Sequence, residues 1–537
     1  MTTLIPKYDL KNGGTTPAGA VNRSYFDKLN EWVSVKDFGA VGDGATDDTA
    51  AFQAAAAFID ANDRSLYLPS GQYRITSTIT FEKPPQIIGE KYSPPVVGVD
   101  TAGDPYALKG SVILSEVVGY AIRINPAANN IYIRGVYLAD FHVLAKDGGS
   151  AGGGIVIENC GWQGYVRNLT VEGFDQHGVI LNQVQDSLFE NLEILRCGTD
   201  NVYPALYIYG YCNFLTFIRP RLEQNQWHLF MNNCFAIEFH ASHMEQGDYP
   251  TAPQSDYNVI PRYTSIRITN SSQVKFIGGV FNCATLASTI AEYSITAAQC
   301  PYYIEVTNTP DFSFINSSIG AGYDRGKLLY VSSDGFISNC SFFKACIEDY
   351  PIYLAGNVLF TNNSISLEDI GTSTAFCGIS ASFATIDGNL LVSQNSTSVA
   401  KVSGSVFGGN GGGNARLGEN QLIINQYNTV TDTTQIQVSQ NTDGYTAGAF
   451  AGSVDLRLYE PNKIFNVNAV GTLTDLTNAI KEQTITFYNT ASGNYTITNG
   501  TNIKCKGATN AVVPQGAFIT FKYSPVTGVF VEYSRSF

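Results

Sequence analysis

Two short segments, Leu222-Glu-Gln-Asn-Gln226 and Met244-Glu-Gln-Gly-Asp248, repeat one pattern: an apolar residue, a glutamate and an amide before a turn. If the apolar residue points into a core, the glutamate after it points out, because side chains alternate along a strand. Two outward glutamates on neighbouring strands lie about 4.8 Å apart along the sheet. Glu223 and Glu245 are therefore candidates for a carboxylate pair, and mutual repulsion is expected to keep a proton on one of them. Cleavage of a glycosidic bond uses such a pair: one acid protonates the leaving oxygen, and the other carboxylate attacks or activates water. Carboxyl groups roughly 5 Å apart favour retention, and those roughly 6.5–9.5 Å apart favour inversion. Glu223 with Glu245 suits the first case, and either with Asp248 suits the second.

The neighbourhood supplies groups that bind sugars. Trp227 and Tyr249 follow the two segments and offer flat faces. Arg219 and Arg221 offer bidentate donors to an acidic sugar, and His243, Glu193 and Glu172 complete the set of expected substrate contacts. All five histidines lie between His142 and His243. His240 and His243 share an HxxH spacing, which in a strand puts them on opposite faces, so no metal is expected. No cofactor is expected either.

These residues need a scaffold that repeats. From Ile133 onward, short strands recur with the form apolar, two or three small polar residues, then alternating apolar positions. Their first residues are Ile133, Val166, Phe189, Phe217, Phe239, Phe276, Phe314, Ile337, Phe360 and Ile386. Most lie about 22 to 28 residues apart, a period that signals a solenoid. With few helix signals and Asn/Gly punctuation, a parallel β-helix fits best. Counting Val166, Phe189, Phe217 and Phe239 as zero, position +5 holds Val171, Ile194, Leu222 and Met244, all expected inside. Position +4 holds Thr170, Glu193, Arg221 and His243, and position +6 holds Glu172, Leu195, Glu223 and Glu245, all expected outside. The column Asn168, Asn191, Asn316, Asn339 and Asn362 is expected to be a turn ladder.

The fold class expected is all-β: a parallel β-helix with a short N-terminal capping helix and a C-terminal antiparallel β-sandwich. Residues 1–30 form an arm, and residues 31–82 a strand and helix that cap the solenoid. Residues 83–410 form the β-helix with the site, and residues 411–537 the sandwich. The helix starts near Thr46 or Asp47, whose side chains suit free helix amides, and Phe52, Ala55, Ala56 and Ile59 give it one apolar face. The Gly39, Gly42 and Gly44 turn lacks a following lysine, which argues against a phosphate cradle.

Composition narrows the partners. The 537 residues carry 32 Lys+Arg against 46 Asp+Glu, a formal net charge of -14, which repels nucleic acid overall. No apolar run reaches the ~18 residues of a spanning helix, so membrane insertion is not expected, and neither is a signal peptide. Ten cysteines without a CxxC pair read as buried free thiols.

The segment Val35-Lys-Asp-Phe-Gly-Ala-Val-Gly-Asp-Gly-Ala-Thr-Asp-Asp-Thr-Ala-Ala-Phe-Gln-Ala-Ala55 resembles the opening of the pectate-lyase-like right-handed β-helix superfamily, and more narrowly bacteriophage tailspikes and capsular polysaccharide depolymerases. The start, Met1-Thr-Thr-Leu-Ile-Pro-Lys-Tyr-Asp9, and the end, Val531-Glu-Tyr-Ser-Arg-Ser-Phe537, are similar to the ends of such spikes. The free thiols and the start of the sequence lead to the expectation of synthesis in the host cytoplasm. The resemblance implies a right-handed β-helix assembled as a homotrimer in the virion tail. It would degrade a bacterial surface polysaccharide and dock through its N-terminal arm on another tail protein. It supplies no catalytic residue. Two rivals follow: a polysaccharide lyase, with His243 or a tyrosine as base and an arginine neutralising a uronate, and a spike that binds without cutting.

Overall fold

The protein, seen in a computed structural model, is described over residues 33–90, 110–126, 135–146, 152–198, 203–225, 227–246, 265–283, 302–321, 328–346, 352–368, 384–393, 471–477, 484–489 and 491–537, with short strand pieces elsewhere. It divides into two units, residues 1–284 with 306–312, and residues 285–305 with 313–537.

In the first unit each coil contributes strands to two parallel sheets. One sheet contains β1 (Tyr137–Ala145), β2 (Gly164–Glu172), β3 (Gln185–Leu195), β4 (Asn213–Ile218), β5 (Arg221–Glu223), β6 (Phe235–Gln246) and β7 (Ser272–Cys283). β4 and β5 belong to one coil and pair with the two halves of β3 and of β6. The second sheet stacks Gly153–Glu158, Val179–Asn182, Leu206–Tyr209, Leu229–Asn232 and Ile266–Thr269, again all parallel.

The register matches the sequence period from the second coil onward. Val166, Phe189, Phe217, Phe239 and Phe276 align in one column, and the rings of Phe189, Phe217, Phe239 and Phe276 stack at 4.6, 4.6 and 4.7 Å. The first coil departs from expectation: Leu138, not Ile133, pairs with Val166. Ile133 lies outside the described residues.

Each coil turns at left-handed residues. Position +2 holds Asp140, Asn168, Asn191, Arg219 and Ala241, with φ between 47° and 63°. Asn191 donates to Asn168 at 2.8 Å, and Asn168 to Asp140 at 2.7 Å. Asparagine tolerates this conformation and can hydrogen-bond the coil above, so the column is a turn ladder.

At the start of the chain, helix α1 (Thr49–Asn62) buries Ala51, Phe52, Ala55, Ala56 and Ile59. The helix begins at Thr49, with Asp48 as the cap residue and without a side-chain cap bond of its own, while Asp47 accepts the Thr49 amide at 3.0 Å, as expected of its side chain. The Asp48 carboxylate instead accepts from the amides of Val41 (2.7 Å) and Gly42 (3.1 Å). Asp43 takes the amides of Ala45 and Thr46. The glycine turn is thus filled by the chain's own acids, which leaves it no anion to cradle. Asp48 is 2 % exposed, so Asp48→Ala strands two amides and is expected to cost about 1–3 kcal/mol of stability. Urea denaturation of the two proteins measures it, and matching midpoints would contradict this role.

In the second unit Ile337, Phe360, Ile386 and Leu417 form a parallel column. Parallel pairing does not stop near residue 410: Asn420–Ile424 pairs with Leu390–Ser393 and with Ile436–Ser439. The C-terminal region has two sheets around a core that includes Leu473, Phe487, Tyr495, Ile519, Phe521 and Phe530, so two packed layers are present. Their pairing is mixed. Thr484–Asn489, Phe518–Ser524 and Val529–Arg535 run antiparallel as expected, whereas Tyr445–Ala447, Lys463–Val467 and Thr484–Asn489 run parallel. Alternation along a strand is the same for both pairings, so the sequence pattern did not separate them. Among the described residues no helix is long and apolar enough to cross a membrane.

Candidate active site

Glu223 and Glu245 are register partners on β5 and β6, flanked by the partners Leu222 and Met244, and Arg221 and His243. Leu222 and Met244 are fully buried, so Glu223 and Glu245, which follow them, face outward as the alternation predicts. The strands end there because a left-handed residue follows: Arg196 after β3 and Gln224 after β5. The Gln224 amide donates to the Glu245 carbonyl at 2.8 Å, which locks the two strand ends together.

The carboxylates do not simply repel. His243 lies between them, with Nδ1 3.0 Å from Glu223 Oε1 and Nε2 3.1 Å from Glu245 Oε2. Arg221 grips Glu223 with both arms, Nε to Oε1 at 2.5 Å and Nη2 to Oε2 at 2.7 Å. The same carboxylate holds the Arg221 guanidinium above its ordinary pKa. Arg221 Nη1 also lies 3.6 Å from Glu193, which accepts a bond from Thr170 Oγ1 at 3.0 Å. On the far side, Asn282 Nδ2 donates to Glu245 Oε1 at 3.4 Å. A polar ladder thus crosses five successive coils: Thr170, Glu193, Arg221 with Glu223, His243 with Glu245, and Asn282.

Exposure differs along the ladder. The Glu223 side chain is 15 % exposed and that of Glu245 40 %, with His243 at 44 %. One donor atom each from Glu223, His243 and Glu245 lies within 4.8 Å of the others, a set that could also face a cation. Arg221 bonds each oxygen of Glu223 once, which leaves a further lone pair on each.

The other expected residues divide. Glu172 is 1 % exposed; Arg196 ion-pairs with it and His142 Nε2 lies 3.1 Å away. It is outside the apolar core but covered, so the expectation of a substrate contact there is corrected. Burial pushes the His142 pKa down to about 3, so the imidazole is neutral at neutral pH. Arg219 sits at a left-handed corner and pairs with Glu190 at 3.0 Å, away from the acid column. Trp227 is half-buried: its indole donates to the Leu229 carbonyl at 3.2 Å and its ring packs on Phe230. Behind the site, His228 is buried with Nδ1 2.5 Å from Ser265 Oγ. Burial lowers its pKa to about 4, against hydrogen bonding to the Glu245 and Leu222 backbone. Asp248 and Tyr249 lie outside the described residues. His240 turns to Glu238 at 3.1 Å and is not part of the ladder.

Asn282 and Thr170 were not singled out from the sequence as site residues. Asn282 occupies position +6 counted from Phe276, so the period that located Glu223 and Glu245 also reaches it.

Residues 32–134 match the family described as Rhamnogalacturonase A/epimerase, pectate lyase-like. The chain therefore carries a pectate-lyase-like β-helical segment, as the resemblance of Val35–Ala55 implied. The chain is also similar to Depolymerase 1, capsule KN3-specific, of Klebsiella phage KN3-1, at 23 % identity over 336 residues, 57 % of this chain and 39 % of that protein. A glucan 1,3-beta-glucosidase of Cochliobolus carbonum is 31 % identical over 103 residues, 17 % of this chain and 13 % of that one. The chain thus spans well under half the length of these relatives. Among solved structures, the tailspike protein gp49 of Pseudomonas phage LKA1 superposes with a TM-score of 0.46 at 11 % identity, covering 87 % of each chain.

Proposed function

We propose that this chain is a bacteriophage tailspike depolymerase that hydrolyses bacterial capsular or O-antigen polysaccharide with Glu223 and Glu245. The observation that carries the reading is their pairing on adjacent strands, with carboxylate oxygens within 4.8 Å of each other on an open face. Glu245, the more exposed of the two, gives its proton to the glycosidic oxygen. Glu223, anchored by Arg221, presents the anion that the developing oxocarbenium ion needs. The short separation favours retention of the anomeric configuration. Similarity to a phage protein named as a capsule depolymerase supports the substrate class.

The engagement of Arg221 supports reading the reaction as hydrolysis rather than β-elimination. A lyase needs a cation offered to the uronate carboxyl, and Arg221 is already held by Glu223 and faces Glu193. The chain is expected to act as a homotrimer in the virion tail, with residues 1–30 docking on another tail protein and the C-terminal sheets holding the trimer. Digestion of capsular polysaccharides by the purified protein is the test. Falling polymer size with rising reducing ends, no near-ultraviolet chromophore and initial products of retained anomer are expected. A 4,5-unsaturated product would establish a lyase instead, and unchanged polymers across the range of capsule types would leave a binding spike.

A further inference from the structure

Glu223 and Glu245 differ in what balances their charge. Arg221 meets Glu223 with two short bonds. The contacts of Glu245 among the described residues are His243 Nε2 at 3.1 Å and Asn282 Nδ2 at 3.4 Å. Only one of these can carry a positive charge. We propose that His243 is a positioning residue that shares a proton with Glu245, so that the proton delivered to the glycosidic oxygen belongs to the His243–Glu245 pair. This rests on the reading of Glu223 and Glu245 as the reacting carboxylates.

The surroundings of the imidazole bear this out. From β5 it faces Glu223 and its register partner Arg221, and Arg221 is engaged by Glu223. From β7 its partner is Val280, and Asn282 stands beside Glu245, so that side brings no charge. Buried His228 lies behind the strand. With Nδ1 at Glu223 and Nε2 at Glu245, a neutral ring can donate on one side only. Donation from Nδ1 to Glu223 leaves the Nε2 lone pair facing Glu245, and the proton then sits on Glu245 as O–H···N. Moving it across the hydrogen bond gives N–H···O with an ionised carboxylate. Strongly interacting groups titrate as a pair.

In the reaction the pair gives this proton to the glycosidic oxygen as its bond to the anomeric carbon breaks and a Glu223 oxygen bonds that carbon, and the leaving sugar departs as an alcohol. Water then displaces Glu223 from the anomeric carbon and gives its proton to the pair, so both carboxyl groups end as they began. A reference imidazole holds its proton to about pH 6.5 and a reference glutamic acid to about 4.3. The imidazole is thus the member of the pair with the higher reference proton affinity, and removing it removes that store of the proton.

His243→Asn, assayed on a capsular polysaccharide that the wild type depolymerises, is expected to move the alkaline limb of the pH–rate profile down by about one to two pH units. The rate on the acid side should fall less than on the alkaline side, because the lost contacts to Glu223 and Glu245 act at every pH whereas the lost proton store acts only on the alkaline limb. Superimposable profiles would overturn the proposal, as would a folded variant that loses activity equally at every pH. Should His243→Asn not fold, a nitrogen-15 histidine titration of the full chain in the wild type and in Glu245→Gln gives the answer. The His243 ring is expected to lose its proton at lower pH in Glu245→Gln, and an unchanged titration would count against the pair. Failure of the carboxylate reading itself has another signature: Glu245→Gln would then depolymerise at the wild-type rate.

Discussion

Glu245→Gln is expected to lower the rate of depolymerisation by about 10²–10⁴-fold, the range for removing a positioned general acid. The amide keeps the shape of the side chain and its reach to His243 and Asn282, so the strand register is expected to stay. Glu223→Gln should fall in the same range for a different reason, because Arg221 would then offer an unbalanced positive charge where an anion is needed. Both variants should still bind polysaccharide, since neither changes the outline of the surface. Reducing-end release and size-exclusion profiles measure the loss, with circular dichroism as the check on folding. Wild-type rates in both variants would remove the pair from the mechanism, whatever the fate of the fold. Loss in Glu245→Gln alone would identify Glu223 as a structural partner of Arg221.

How much of this was legible beforehand follows from what alternation and period carry. The inward column Val171, Ile194, Leu222 and Met244 was readable because apolar identity and period agree, and its register holds residue by residue. The outward placement of Glu223 and Glu245 followed from it. What lies over an outward residue was not readable. Glu172 shares the +6 column yet is covered, because Arg196 at the next corner pairs with it and His142 stands one coil above in the +4 column. The same limit applies to the carboxylate pair. Repulsion was the expectation for two stacked acids considered alone, but the residues at +4 stand on the same face and reach diagonally, so Arg221 and His243 enter the gap. A one-dimensional pattern gives columns, and the diagonal contacts between columns depend on side-chain length and rotamer. Arg219 illustrates a third limit. Alternation would carry it outward in line with Arg221, but the left-handed residue at +2 breaks the strand and sends it to Glu190.

The framework under the site makes its own prediction. Phe217 is fully buried, with its ring stacked at 4.6 Å on Phe189 and on Phe239. It lies on β4, in the same coil that carries Arg221 and Glu223. Phe217→Ala opens a cavity between two rings and removes two stacking contacts, with an expected cost of about 3–5 kcal/mol. Phe217→Leu keeps most of the volume and is expected to cost less than about 1.5 kcal/mol. Because each coil packs only on its neighbours, the loss should be local before it is global. Amide exchange in β3, β4, β5 and β6 is therefore expected to speed up by on the order of a hundredfold in Phe217→Ala, the exchange equivalent of about 3 kcal/mol. Exchange in the C-terminal sheets should stay as in the wild type. Activity should fall with it, since β5 holds Glu223 opposite Glu245 only while both strands stay in register. The two kinds of variant then separate cleanly: Glu245→Gln loses chemistry with exchange unchanged, whereas Phe217→Ala loses both together. Uniform acceleration across the whole chain would mean that the coils unfold as one cooperative body, and a hundredfold local change without loss of activity would mean that the carboxylate pair does not depend on this register.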